Sequence, residues 1–387
     1  MKQSFSFKGG HKMFELQEIE KLNNLIDSIT KKIKKITYET TYFFPFSRDL
    51  KSGKWTGTDY CDWSGGHWVG LLTKAYERSN DEVFLKEVKG RLTMIEKRVD
   101  DEDEFLGFIF RYSYAYISEL LRSKEYEMLA LKAANKLVTM YNNKIGLIPL
   151  GSQCKILGTG IKGEDLAGVD DAIIPNVLLF WAYEKSSDKK YKDIAIQNLD
   201  QSIKLFMRDD GSTIHMIRFN PKNGQIIQKW NNLGFDSNTT WSRGQSFFLL
   251  ALAYGFNATK DEKYSETYSK ALTFYLNKNK ARDLTPYYDM TDPNIPNVPK
   301  DTSSLAILAE SYLLMIKNGY NKHDILQQII DSLVMNIDMD SESSVILKNG
   351  CFDYPRNLST NSELIFADYY CYDFLLGLEE YLKVMKN

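Results

Sequence analysis

The sequence predicts an all-α protein: a closed ring of six helical hairpins, an (α/α)6 barrel, with one small β-hairpin in a long loop. Three observations carry this. An apolar helix, a short polar turn and a one-sided amphipathic helix recur five times as a unit, the mark of one supersecondary element used repeatedly. One further helix at each end brings the total to twelve. Finally, the long connections 96–107, 142–172, 208–244 and 278–302 all run from the second helix of one unit to the first of the next. In a ring they gather at one end, where long loops tend to carry function. An open solenoid would show near-constant repeat lengths instead.

Taken in order, 14–36 carries Leu16, Ile19, Leu22, Leu25, Ile26 and Ile29 at helical spacing, so it forms one amphipathic helix. The stretch 38–63 is polar and glycine-containing and reads as loop. The five units follow as 67–76 with 83–95, 108–121 with 126–141, 173–184 with 191–207, 245–257 with 264–276, and 303–316 with 323–337. Phe84, Tyr126, Tyr191 and Tyr264 open equivalent second helices. The last helix spans 366–384. First helices of a unit are apolar on most sides and belong inside the ring; second helices are one-sided and belong outside. Within 208–244, the alternating IHMIRF and QIIQKW predict a β-hairpin turning at Asn223-Gly224. The chain reads as one domain over 1–387, with 1–13 a disordered extension.

Composition excludes several classes. The 387 residues are 43% hydrophobic and 26% charged, which suits a large core and excludes disorder. Net charge is −2, without the basic stripe nucleic acid requires. Cys61, Cys154, Cys351 and Cys371 are scattered with no CxxC pair, so no zinc site is expected and a reducing compartment is. No run of about 18 apolar residues could span a bilayer, and the first residues lack the apolar segment of a signal peptide. A cytoplasmic protein, monomer or homodimer, with no nucleic-acid or membrane partner is expected.

The candidate site residues lie at the starts of first helices. Asp170 and Asp171 stand where an acidic loop enters the helix 173–184; each could cap that helix or project into a pocket as an acid. Trp63 and Trp68 flank Gly-Gly-His67, and tryptophan faces stack on sugar rings while glycine lets a ligand approach the backbone. His215 lies in the predicted hairpin. Trp241 and Arg243 enter the next first helix, where a cation is electrostatically unfavourable unless it works elsewhere. Its guanidinium could grip a carboxylate ligand, or pair internally with Asp236 or Asp170. Asp301 reads as an N-cap, and Asp368 opens the last helix in the same manner.

The ordered segments WSGGHWVGLL, GFIFRYS, the Asp171 helix ending LLFWA, DGSTIH, TTWSRGQSF, DTSSLAILA and FADYY resemble the unsaturated glucuronyl hydrolases, glycoside hydrolase family 88, related to family 105. The resemblance runs from about residue 55 to 382 and implies an (α/α)6 catalytic domain. It implies an oligosaccharide substrate left by a polysaccharide lyase, with an unsaturated uronic acid at its non-reducing end. The enzyme would hydrate the C4=C5 vinyl ether, a reaction that needs neither metal nor cofactor. It places the acid/base aspartate on Asp171, or on Asp170 with a one-residue slip. It matches His215 to an active-site histidine and Arg243 to the substrate-binding arginine. Four positions depart from the family pattern. Phe105 stands where a second aspartate precedes the LGF-like motif, with Glu104 and Asp103 just upstream. Leu233 replaces a glutamine, Phe247 a tryptophan, and His67 an aromatic. Two alternatives follow from these departures: a hydrolase with a diverged glycoside substrate, or a non-catalytic sugar-binding relative.

Overall fold

The computed structural model describes residues 16–41, 43–154, 161–279 and 283–386. The extension expected at 1–13 lies outside them. Among the described residues there are twelve helices: α1 (Leu16–Glu39), α2 (Gly65–Ser79), α3 (Glu82–Ile95), α4 (106–121), α5 (Lys124–Met140), α6 (Ile174–Ser186), α7 (Lys189–Phe206), α8 (Ser242–Thr259), α9 (Glu262–Lys278), α10 (Thr302–Lys317), α11 (Leu326–Asn336) and α12 (Ile365–Lys386). Helix α4 is continuous, with a π-wound turn at Arg111–Ala115. The even-numbered helices form the inner ring in chain order, and α12 packs back on α2 to close it. The odd-numbered helices lie outside. The expected ring of hairpins is therefore present.

Four of the hairpins turn by one device. Asn80, Arg122, Ser187 and Lys260 end α2, α4, α6 and α8 in the left-handed conformation. Asp81, Ser123, Asp188 and Asp261 then cap the outer helices, each side chain accepting from a first-turn N–H. Phe84, Tyr126, Tyr191 and Tyr264 follow each cap by three residues, which explains why those aromatics recur at equivalent places.

The hairpin expected in 208–244 is β4 (Met216–Phe219) with β5 (Ile226–Trp230), joined in one sheet to the short β3 (Leu166–Gly168). The loop expected at 38–63 is a correction: it holds β1 (Phe44–Asp49) and β2 (Trp55–Thr58). They join β6 (Gly350–Asp353) and β7 (Leu358–Leu364) in the order β2-β1-β7-β6. Strand β1 pairs with residues 362–364, some three hundred positions away. Nothing local announces such a strand, and Pro45 within it argues against one.

Asp301 caps α10 as expected, accepting from the Ser303 N–H at 3.1 Å. Asp368 does not cap α12, which already starts at Ile365. It lies inside the protein beside Glu363, accepts from the Leu347 N–H at 3.1 Å, and is pushed well above the usual carboxylate range by burial and then by Glu363. Arg48 Nε stands 3.1 Å from Glu363 and compensates that buried pair.

Helices α4 and α6 approach so closely at Gly107 that a Cβ there would sit 1.7 Å from the Ile174 carbonyl oxygen. Gly107→Ala is expected to cost about 3 kcal/mol or more through backbone overpacking. By contrast, Gly90 in the outer α3 faces open space. Gly90→Ala is expected to stabilise by about 0.5–1 kcal/mol. Denaturant midpoints of the two variants check both signs.

Candidate active site

The loops at one end of the ring enclose a cavity of about 1120 Å³. Asp170 and Asp171 reach it from a single 3-10 turn, Asp170–Ala172, between β3 and α6. Neither caps α6, which begins with Ile174-Pro175; a proline there needs no capped N–H. Asp171 instead bends back, and its Oδ2 accepts from the Gly168 N–H at 2.5 Å. The β3–β4 ladder pairs Gly168 with Met216, and the Val169 N–H donates to the His215 carbonyl at 2.7 Å. That register sets Asp170 beside His215, with Nε2 3.8 Å from Asp170 Oδ1.

Glu104 completes the group. Its backbone N–H donates to the Leu150 carbonyl at 3.0 Å, and its carbonyl accepts from the Gly107 N–H at 2.9 Å. This pins the turn into α4 and buries the Glu104 side chain, which is hydrogen-bonded to Asp171. Two carboxylates in a dry pocket cannot both ionise, so the pair holds a proton where free acids would have none. Glu104 is pushed well above the ordinary range by burial, then by the Asp171 charge. Asp171 is raised likewise by burial and then by Asp170. Burial lifts Asp170 to about 6. Asp103, the other upstream acid, is occupied: it accepts from the Phe105 N–H at 3.0 Å and pairs with Arg98 at 2.5 Å.

His215 is neutral. Burial, then the charges of Arg243 and Arg356, lowers it to about 3. Its Nδ1 accepts from the Leu233 N–H at 3.2 Å, so the ring proton sits on Nε2, facing Asp170. Trp241 lies against the imidazole, centroids 4.4 Å apart, and holds the ring in place instead of lining the cavity.

The remaining expected residues divide. Trp63 lines the cavity, stacked on Phe352 with centroids 6.3 Å apart and planes at 21°. Trp68 is fully buried core. His67 lies inside the ring with Nε2 3.4 Å from the Tyr370 hydroxyl, and Phe247 packs on Phe108 and Tyr370. None of these three lines the cavity. Arg243 departs furthest from expectation. Its guanidinium bonds Asp301 (2.7 Å), Ser303 Oγ (3.1 Å) and the carbonyls of Cys351 (2.9 Å) and Phe352 (2.6 Å). It clamps α8 to α10 and β6 and is sealed from the cavity. It is paired internally, but with Asp301 and not with Asp236 or Asp170, the partners considered from the sequence.

Three features of the site were not singled out from the sequence. Arg98 is held by Asp101, Asp103 and the Cys61 carbonyl. Arg356 is held by Asp353 and Asn232. Phe352 comes from a strand with no local signal. The acid run Glu102-Asp103-Glu104 before an apolar helix was the available sign for Glu104.

The fold and the site together define a helical-ring protein with a proton-sharing carboxyl pair at the mouth of a sugar-sized cavity. No protein-family model matches the chain. It is 27% identical over 333 residues to the unsaturated chondroitin disaccharide hydrolase of Streptococcus pneumoniae, covering 82% of each chain. It is 25% identical over 317 residues to the unsaturated glucuronyl hydrolase of Formosa agariphila, covering 80% of this chain and 78% of the relative. Among solved structures, an unsaturated glucuronyl hydrolase specific for heparin superposes with a TM-score of 0.85, at 22% identity, over 95% of this chain and 99% of that one. The chain is therefore similar to unsaturated glucuronyl hydrolases over four fifths of its length and has their fold, as the sequence motifs implied.

Glu104→Gln keeps the shape of the pair and removes one titration. A raised carboxyl pKa costs stability only above the unfolded pKa, near about 4, and the cost grows until the folded pKa is passed. The variant and parent are expected to melt together in acid, and the variant to melt higher at neutral and alkaline pH. Melting temperatures across that range check it.

Proposed function

We propose that the protein is a glycoside hydrolase that removes an unsaturated uronic acid from the non-reducing end of lyase-generated oligosaccharides. The observation that carries this is the Glu104–Asp171 pair, two carboxyls buried together beside a cavity walled by Trp63, an arrangement that favours a shared proton. The similarity to named hydrolases of unsaturated disaccharides supports the same reading. The cavity exceeds the roughly 300–1,000 Å³ of most small-molecule sites and admits more than one sugar ring. A cytoplasmic place for the enzyme is part of the proposal, supported by four cysteines that are all unpaired.

In this reading Asp171 is the general acid/base. Its proton goes to C4 of the vinyl ether, and the C4=C5 electron pair forms that C–H bond. The cation left at C5 is shared with the ring oxygen. Water adds at C5, and its proton returns to the Asp171 carboxylate, so the catalyst is restored. The C5 hemiketal then opens to a ketone, and the hemiacetal released at C1 expels the next sugar. Glu104 takes the place of the second acid that Phe105 displaces by one residue; it keeps the proton on the pair at neutral pH. Asp170, ionised above about 6, together with the Nε2–H of His215, orients the water. Indifference of activity to loss of Asp171 would instead fit a sugar-binding protein without chemistry.

Two outcomes are expected from turnover of an unsaturated disaccharide, followed as loss of ultraviolet absorbance. Asp171→Asn loses activity by about 10³-fold or more, with KM little changed. The kcat/KM profile rises through pH about 6 as Asp170 ionises and falls on the alkaline side as the pair loses its proton. Asp170→Asn flattens the acidic limb at the low level of the protonated parent and keeps the alkaline limb.

A further inference from the structure

Which sugars the site accepts follows from how charge is distributed around the cavity; this step rests on the hydrolase reading. Seven carboxyl groups and three cations line it among the described residues. The cations are not equivalent. Arg98 is spent: Nε bonds Asp101 at 2.6 Å, Nη2 bonds Asp103 at 2.5 Å, and Nη1 reaches the Cys61 carbonyl. Lys97 is exposed to solvent. Arg356 stands on the turn between β6 and β7. One carboxylate, Asp353 at 2.9 Å, pairs with it, and the Asn232 carbonyl and side chain fix it at 3.2 and 2.8 Å. Its Nε makes no hydrogen bond among the described residues, and its side chain is 30% exposed. It lies near enough to His215 to depress that ring's basicity. Arg243, a further arginine of this region, is buried and does not line the cavity; its terminal nitrogens bond Asp301 and the carbonyls of Cys351 and Phe352.

The acids lie elsewhere. Asp59 follows β2, at the opposite edge of the four-stranded sheet from β6, and Asp62 is three residues further on. Asp59 is exposed and has no ion-pair partner among the described residues. Asp101 and Asp103 share the single charge of Arg98. This side of the cavity therefore keeps net negative charge.

We propose that the cavity is polarised: Arg356 takes the one carboxylate of the unsaturated uronate, and the Asp59, Asp62 and Asp101 wall restricts the rest of the substrate to sugars without sulfate. A sulfate ester placed against that wall meets Asp59, Asp62, Asp101 and Asp103, which outnumber Arg98 and the solvent-exposed Lys97 on that side, and like charge at close range in a partly desolvated site is costly.

The test compares an unsaturated uronosyl-N-acetylhexosamine disaccharide with its 6-O-sulfated form. The unsulfated sugar is expected to have the higher kcat/KM by on the order of tenfold at low salt. The gap should shrink as ionic strength rises from about 0.02 to about 0.5 M, which a steric barrier would not do. Equal or faster turnover of the sulfated sugar overturns the proposal. Asp59→Lys narrows the ratio; an unmoved ratio removes the wall from the account. Arg356→Gln raises KM for the unsulfated sugar by on the order of tenfold with kcat changed less than about threefold. Arg356→Lys, which leaves Asp353 partnered, lies between. An unchanged KM in both variants overturns the role of Arg356. Turnover of neither disaccharide would count against the hydrolase reading itself. In that event calorimetric titration with the same two sugars still decides the charge preference: tighter binding of the unsulfated one supports it, and the reverse overturns it.

Discussion

A hydrogen-bonded pair of buried carboxyl groups, Glu104 with Asp171, is the constraint around which the mouth of the ring is arranged. Every element nearby serves to hold the two acids together and dry. The Leu150 carbonyl and the Gly107 N–H fix the Glu104 backbone. The contact of Gly107 with Ile174 brings α4 against the start of α6, so the turn bearing Asp171 meets the turn bearing Glu104. The β3–β4 ladder then delivers Asp170 and His215 to the same corner. Desolvation by the surrounding ring makes the shared proton persist, because burial disfavours the charged forms and each acid's charge disfavours the other's.

The fold contains a second buried acid pair, Glu363 with Asp368, in a different setting. Glu363 is raised to about 7 by burial, but Arg48 faces it and the Ile346 N–H bonds it at 2.7 Å. That pair ties the strand β7 and the start of α12 to the segment 344–349, away from the cavity. Glu104 and Asp171 line the cavity, and Glu104 Oε2 is buried without a hydrogen-bond partner among the described residues. A buried acid whose oxygen lacks a hydrogen-bond partner carries an uncompensated desolvation cost. Such an arrangement opposes stability, as functional sites commonly do. The Arg243–Asp301 clamp binds α8, α10 and β6 through four hydrogen bonds from the two terminal guanidinium nitrogens.

The helices were legible because each hairpin repeats a periodic apolar face and a capped polar turn, signals contained within about forty residues. The four-stranded sheet was not, because its central strand finds its partner at residues 362–364 and carries a proline. At the site, Trp63, Asp171 and His215 reach the cavity, whereas Trp68, His67 and Phe247 point into the ring. One helical turn decides that difference, and composition is blind to it. Arg243 had the chemistry of a ligand-binding cation, yet its partners lie 58 and 108 residues onward. Glu104 escaped because it stands one residue before the place where the resemblance looked for an acid. A single-residue offset in a loop is absorbed by backbone geometry, and only coordinates reveal which side chain arrives.

The proton on the carboxyl pair is the point most directly open to measurement. Infrared difference spectra of the parent protein against Glu104→Gln, in neutral buffer, report a carboxylic acid through its C=O stretch. A band from a protonated carboxyl at neutral pH, lost in the variant and persisting well into the alkaline range in the parent, is the expected result. A spectrum containing only ionised carboxylate at neutral pH would contradict the account, since no buried acid would then hold a proton to donate.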